Sequence, residues 1–452
     1  MKSNLKRCIP ILLLSIFAVC LLTACGSAGG QDVAVTTLIY ANLTKNNVDR
    51  AAVNLFNSTH ADVQIEVRDY LDEDGVSGQE QLMAEMAAGK IPDIIDLGRG
   101  YSSFCLLPYQ VLARKGYLED LWPYIENDPD LGREGVLEAP LKAAEVDGGL
   151  YVLFDEVYIN TLTGAESIVG NRMSWTLAEL REAFASMPED STILPYHYRK
   201  LDAFVYIMSM SLDSYVDWEN GQCSFDCEDF REALQFVNGF PDEVPHTEED
   251  LSGELLDRMR LGKQMLWAYP IYSVMDTQLI SALIADGGPV SFVGYPTTDG
   301  SVGSSFYPIR KLAMSSACQD KEAAWEFLRQ MILPKYDREQ MREGEGPRWI
   351  PMNREDYDNV KRVAQSNGFF PKMKGFGQEP DVFRVECHRV TDEEWEQYET
   401  LINSITKVDM YDSNIYNIVW EAAGAYFAGD KTLDETVALI QNRVGLYVNE
   451  NR

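Results

Sequence analysis

The sequence predicts an α/β chain built on a doubly wound sheet. Three observations carry this. β-rich runs alternate with helical ones from residue 35 onward. Hydrophobic residues are 46% and aromatics 11% of 452 residues, enough for large cores and too many for general disorder. Helix-capping signals stand in front of the later apolar runs.

The elements follow in order. Val35–Ala41 is β-rich, and Asp49–Phe56 places Val53 and Phe56 on one helical face. Val63, Ile65 and Val67 alternate with Gln64, Glu66 and Arg68, the pattern of a half-buried strand. Residues 72–80 are acidic and contain glycine, hence a loop. Gln81–Ala88 is helical with Gly89 as its stop, and Ile91–Leu97 is a short buried strand. That β-α-β-α-β order implies helices on both faces of the sheet. Thr176-x-x-Glu179, Thr391-x-x-Glu394 and Thr432-x-x-Glu435 match the capping box. Ile415, Ile418, Val419, Ala422 and Tyr426 recur at helical spacing, and Gly429 ends that helix. No tandem repeat is present, and the acidic stretch 242–257 reads as a solvated loop and helix face. The length suggests two or three domains.

Charge separates the N-terminus from the rest. The chain has 39 Lys+Arg against 71 Asp+Glu, a net −32. Residues 1–25 carry Lys2, Lys6 and Arg7 and no acid, so setting their +3 aside takes the −32 to −35 for the remainder. Such a body has no basic stripe for nucleic acid, and its acidic excess disfavours loose adhesion to anionic lipid. After the basic residues, Ile9–Ala24 is almost wholly apolar. Sixteen residues are short of the about 20 that cross a bilayer, so a signal peptide fits. It ends Leu22-Thr-Ala-Cys25-Gly-Ser27, which resembles a bacterial lipobox. That resemblance implies cleavage after residue 24, lipid on Cys25, and a tether over residues 25–31. No later run reaches 18 apolar residues.

Cys105, Cys223, Cys227, Cys318 and Cys387 then remain, an odd number that makes no disulfide framework. Cys223 and Cys227 are spaced to bridge or to bind metal, or are isolated thiols. No second pair or His cluster completes a zinc set, so no metal and no cofactor is expected. His60, His197, His246 and His388 are scattered. No G-x-S-x-G, H-E-x-x-H, P-loop or G-x-G-x-x-G element is present.

Four blocks carry a family resemblance. Met86-Ala-Ala-Gly-Lys-Ile-Pro-Asp-Ile-Ile-Asp96 is the first. Gly116–Leu121 followed by Asp147-Gly-Gly-Leu-Tyr-Val-Leu153 is the second. Phe292–Pro296, Asp299–Gly303 and Lys321–Phe327 form the third, and Glu421–Glu450 the fourth. In this order, behind a lipobox, they resemble extracellular solute-binding proteins of family 1, the maltodextrin-binding-like receptors of ABC importers. The resemblance implies a two-lobed, type II periplasmic-binding-protein fold with a ligand cleft between lobes. Lobe one is residues 32–157 plus 304–332, and lobe two 158–303 plus 333–452. It further implies hinge closure on a carbohydrate, delivery to ABC permease subunits, a lipid-anchored bacterial lipoprotein on the extracellular face of the membrane, and a monomer that is not an enzyme. One departure stands out: Phe154-Asp155 replaces the family's usual Pro after the Tyr151 strand. Rival classes are a carbohydrate-active enzyme and a sensor or adhesin subunit on the same fold.

Ligands in open α/β sheets lie beyond the carboxyl ends of strands. Those ends supply Asn42; Asp96, Arg99 and Tyr101; and Phe154 and Asp155. Sugar C–H faces stack on aromatics, and hydroxyls need fixed polar groups. Trp267, Tyr269 and Tyr272 offer three rings in six residues, after the family's Gly262-Lys263. Tyr307 and Trp349 lie near the second and third lobe crossings, while Trp325 and Trp420 sit on periodic helical faces and read as structural.

Overall fold

The computed structural model describes residues 35–43, 49–70, 78–99, 104–105, 108–242, 252–343, 346–366, 373–376 and 383–451. The expected signal peptide, Cys25 and the tether lie outside these residues, as does Tyr101. Contacts divide the chain into two compact units: residues up to Thr37 with Arg50–Glu66, and Leu38–Asp49 with Val67–Arg452.

In the smaller unit the helix Arg50–Thr59 buries Val53 and Phe56. The His60 ring stacks on Phe56 at 4.0 Å. Asn57 closes the helix onto the strand that follows, donating to the Ile65 carbonyl at 3.0 Å and accepting from its N–H at 2.7 Å.

In the larger unit Leu38–Asn42 of the first strand, Ile94–Arg99, Arg310–Met314 and Leu153–Phe154 lie side by side in that order. Tyr40 pairs with Ile94 in parallel, whereas Arg310–Met314 runs antiparallel to both of its neighbours. Leu38, Tyr40, Ile94, Ile95, Leu97 and Leu312 are fully buried here, which is why these strands read as continuous apolar runs. A second core gathers Trp175, Phe204, Phe225, Phe230, Leu234, Val419, Ile440 and Val444. The capping boxes at Thr176 and Thr391 form in full. Thr432 and Glu435 exchange the same bonds ahead of Leu433–Asn451. Gly89 and Gly429 take φ of 81° and 80°, the left-handed stops the sequence predicts. The helix containing Trp420 is Ser413–Phe427.

Three short strands form a separate sheet: Ser305–Pro308, Glu156–Asn160 and Ile350–Pro351, in that order and antiparallel. Gly303 lets the chain enter it, because a Cβ there would run into the Tyr295 carbonyl oxygen. Gly303→Ala should therefore cost about 1–3 kcal/mol in denaturant unfolding, the range for overpacking a filled site. Unchanged stability would show that this approach can relax.

Candidate functional site

Alternation along the three-stranded sheet decides which side chains share a face. Ser305 pairs with Asn160 and Tyr307 with Tyr158, so all four project from one side. Tyr158 and Tyr307 stack at 4.6 Å with an interplanar angle of 11°. Tyr272 meets the Tyr158 ring edge-on at 5.3 Å. Tyr269 lies 6.3 Å from Tyr272, and Trp267 lies 4.8 Å from Tyr269. The Lys311 ammonium sits 5.3 Å from the Tyr307 ring and donates to the Pro308 carbonyl at 3.1 Å. Asn160 donates to Asp409 at 2.6 Å.

Beyond Ser305 a cavity of about 250 Å³ opens. The helix Tyr109–Arg114 lends it Gln110 and Arg114, the 3-10 helix Ser209–Tyr215 lends Met210 and Leu212, and Trp218 follows. Lys407, Asp412 and Tyr416 line another side. The Arg114 guanidinium is fixed by Asp147 at 3.3 Å and lies 5.3 Å from the Trp218 ring. The Asp412 carboxylate accepts from the Tyr447 hydroxyl at 2.8 Å and from the Asn414 N–H at 2.9 Å. Burial nevertheless raises its pKa above the ordinary carboxylate value, the hydrogen bonds only partly offsetting it. The Tyr416 phenol is pushed up to about 12 by burial, so it is neutral.

Three residues of this lining each carry a buried side-chain atom with no hydrogen-bond partner among the described residues: Gln110 Oε1, Arg114 Nη1 and Ser305 Oγ. Buried polar groups are ordinarily satisfied, and these three atoms are closed off from solvent water. A larger groove of about 800 Å³ runs along Gln278, Glu393 and Glu394. There Gln278 is already spent on the His388 carbonyl and Glu394. The smaller cavity sets two aromatic residues, Trp218 and Tyr416, beside the amide of Gln110 and the charged Arg114, Lys407 and Asp412, the two kinds of group a sugar needs.

The strand-end residues fare differently from the aromatics. Asn42 is buried and donates to Asp69 at 2.6 Å. Asp96 is 1% exposed and accepts from the Tyr40 hydroxyl at 2.7 Å and the Gly98 N–H at 2.9 Å. Phe154 is fully buried, its backbone paired with Lys311. All three are committed to the fold. Asp155 accepts from the Glu156 N–H at 2.9 Å, and its carbonyl takes the Met352 N–H at 3.0 Å, so it shapes the turn into the crossing sheet. The Arg99 backbone pairs with Arg310, while its side chain lies outside the description. Trp267 is 4% exposed; Tyr269 and Tyr272 are half-buried. Trp325 is buried and donates to Asp128, and Trp420 packs on Phe204 and Tyr416, both structural. Cys223, Cys227 and Cys318 are free thiols.

Sequence reasoning missed Gln110, Arg114, Tyr158, Trp218, Ser305 and Tyr416. One signal was available: Gln110 and Arg114, four apart, are the polar pair on a six-residue helix whose other residues are all buried. Among the described residues no His, Cys, Asp and Glu cluster could hold a metal, and no helix is long and apolar enough to cross a membrane.

No family model and no curated relative matches the chain. Solved structures do. The sugar-binding protein MalE of the phytopathogen Xanthomonas citri superposes with a TM-score of 0.51 at 15% identity, over 92% of this chain and 98% of that one. An extracellular solute-binding protein family 1 from Alicyclobacillus acidocaldarius gives 0.48 at 14% identity, over 92% and 99%. An ABC transporter solute-binding protein from Agrobacterium vitis, solved with bound D-mannitol, gives 0.47 at 17%, over 92% and 99%. The first likeness shows the fold: α/β, of the two-lobed periplasmic-binding-protein kind.

Proposed function

We propose that this chain is a substrate-binding receptor, a member of the extracellular solute-binding proteins of family 1, that captures a carbohydrate and delivers it to an ABC importer without turning it over. The observation that carries the reading is the cavity on this fold, lined by the aromatic residues Trp218 and Tyr416 beside Gln110, Arg114 and Lys407. The proposed lobes are residues 32–157 plus 304–332 and 158–303 plus 333–452. The crossing sheet supports them, since Glu156–Asn160 spans the proposed junction at 157/158 and its partner strand Ser305–Pro308 begins just past the one at 303/304. Three strands bound side by side make a hinge that can bend without unravelling. Asp155, Trp267, Tyr269 and Tyr272 are proposed further contributors to ligand binding. The lipobox supports anchoring through lipid on Cys25 at the extracellular face of the membrane, next to the permease.

Thermal-shift screening of the mature chain against mono- and oligosaccharides, sugar alcohols, amino acids and peptides tests this. A ligand at 100 times its Kd should stabilise by about 2.7 kcal/mol. Cleavage of a glycan by the purified chain would instead establish the enzyme reading.

A further inference from the structure

We infer that a strip of lobe one, Phe104–Cys105 with Gln110, Arg114 and Lys115, latches onto Met410–Asp412, Trp218 and Asn451 of lobe two, and that this latch holds the lobes together without any help from a solute. The latch rests on the receptor reading and its two lobes, and adds a gate to them. Phe104–Cys105 and Tyr411–Asp412 pair as parallel strands, Phe104 opposite Tyr411 and Cys105 opposite Asp412. The helix Tyr109–Arg114 continues the strip. Gln110 Nε2 donates to the Met410 carbonyl at 3.1 Å, across 300 residues of sequence. The Arg114 guanidinium lies 5.3 Å from the Trp218 ring, and the Lys115 ammonium donates to Asn451 Oδ1 at 2.8 Å. Every tie runs from protein group to protein group, so none needs a bound solute to form.

The latch differs from the crossing sheet in what a hinge motion does to it. Glu156–Asn160 passes through a lobe junction, so its pairing with Ser305–Pro308 survives bending. The latch strands end inside their own lobes, and no short turn connects them. Moving the lobes apart must therefore break the pairing. Gln110, Arg114, Met410 and Asp412 also line the cavity, so the latch forms part of its wall and opening one opens the other. Each tie is modest by itself. Acting on one two-state motion, their effects on its population multiply. Solute entry then scales with the open fraction of the receptor.

The test is hydrogen exchange of the mature full chain in the absence of added solute, read by mass spectrometry on peptides spanning 104–105 and 410–412, with small-angle scattering of the same samples. Both peptides should be protected in the wild type. In Gln110→Leu/Arg114→Leu/Lys115→Met they should exchange at least about tenfold faster, and the radius of gyration should rise. The buried strand Ile94–Arg99 should stay protected in that variant, the sign that each lobe remains folded. Lys115→Met alone, at an exposed position, is the second variant and should move both readouts the same way by less. Rapid exchange of either peptide in the wild type, or unchanged exchange and radius in the variants, overturns the latch. Either result leaves the receptor reading standing, because the solute screen decides that separately.

Discussion

Replacing Arg329 by Met should destabilise the larger unit by about 3–5 kcal/mol, the cost of leaving a buried charge without its partner. Arg329 grips Asp128 with two parallel bonds of 2.7 Å, and it reaches Asp130 at 2.6 Å. The Trp325 indole donates to the same Asp128 carboxylate at 2.9 Å. The side chains of Arg329 and Asp128 are only 11% and 2% exposed, so water cannot replace the lost partner. Burial alone would raise the Asp128 carboxyl, but the hydrogen bonds from Arg329, the Asp130 N–H and the Trp325 indole, with the Arg329 charge, together outweigh it and hold the group below its ordinary value. A depressed carboxylate stabilises fully above its unfolded pKa of about 3.9. That contribution is lost as pH falls through the folded value. Urea unfolding across pH 3 to 7 should show the acid-linked loss in the wild type and a flatter profile in Arg329→Met. Equal stability of the two at pH 7 would contradict this account.

Asp96→Ala should cost about 3 kcal/mol and leave ligand affinity almost unchanged in the folded protein. Removing the carboxylate orphans the Tyr40 hydroxyl and the Gly98 N–H, and strips Arg310 and Lys311 of a nearby counter-charge. Burial raises the Asp96 pKa above its unfolded value. The unfolded chain therefore ionises first, and this group's contribution to stability falls as pH rises through the folded value. Asp96→Asn removes that slope while keeping one acceptor oxygen. Loss of binding with intact stability would restore Asp96 to the ligand site.

These two residues show where sequence reading stops. The strands, the left-handed glycine stops and the capping boxes depend on neighbours a few residues apart, and each was legible. The role of Asp96 depends on Tyr40, which the parallel pairing of Tyr40 with Ile94 brings alongside. A polar residue at a strand end looks the same whether it faces a ligand or a tyrosine from the next strand. The aromatic row was half legible. Trp267, Tyr269 and Tyr272 lie close in sequence, whereas Tyr158 and Tyr307 meet only through strand pairing. Tyr416 shares its helix with buried Ile415 and Val419, and periodicity cannot say which neighbour borders a cavity.

The central claim is that a solute binds in the cavity between Ser305 and Tyr416. Calorimetry on wild type and Tyr416→Ala, using the ligand found in the screen, tests it most directly. The account predicts one-to-one binding by the wild type and at least tenfold weaker binding by the variant, about 1.4 kcal/mol, with folding intact. Equal affinity in a folded Tyr416→Ala protein would contradict it.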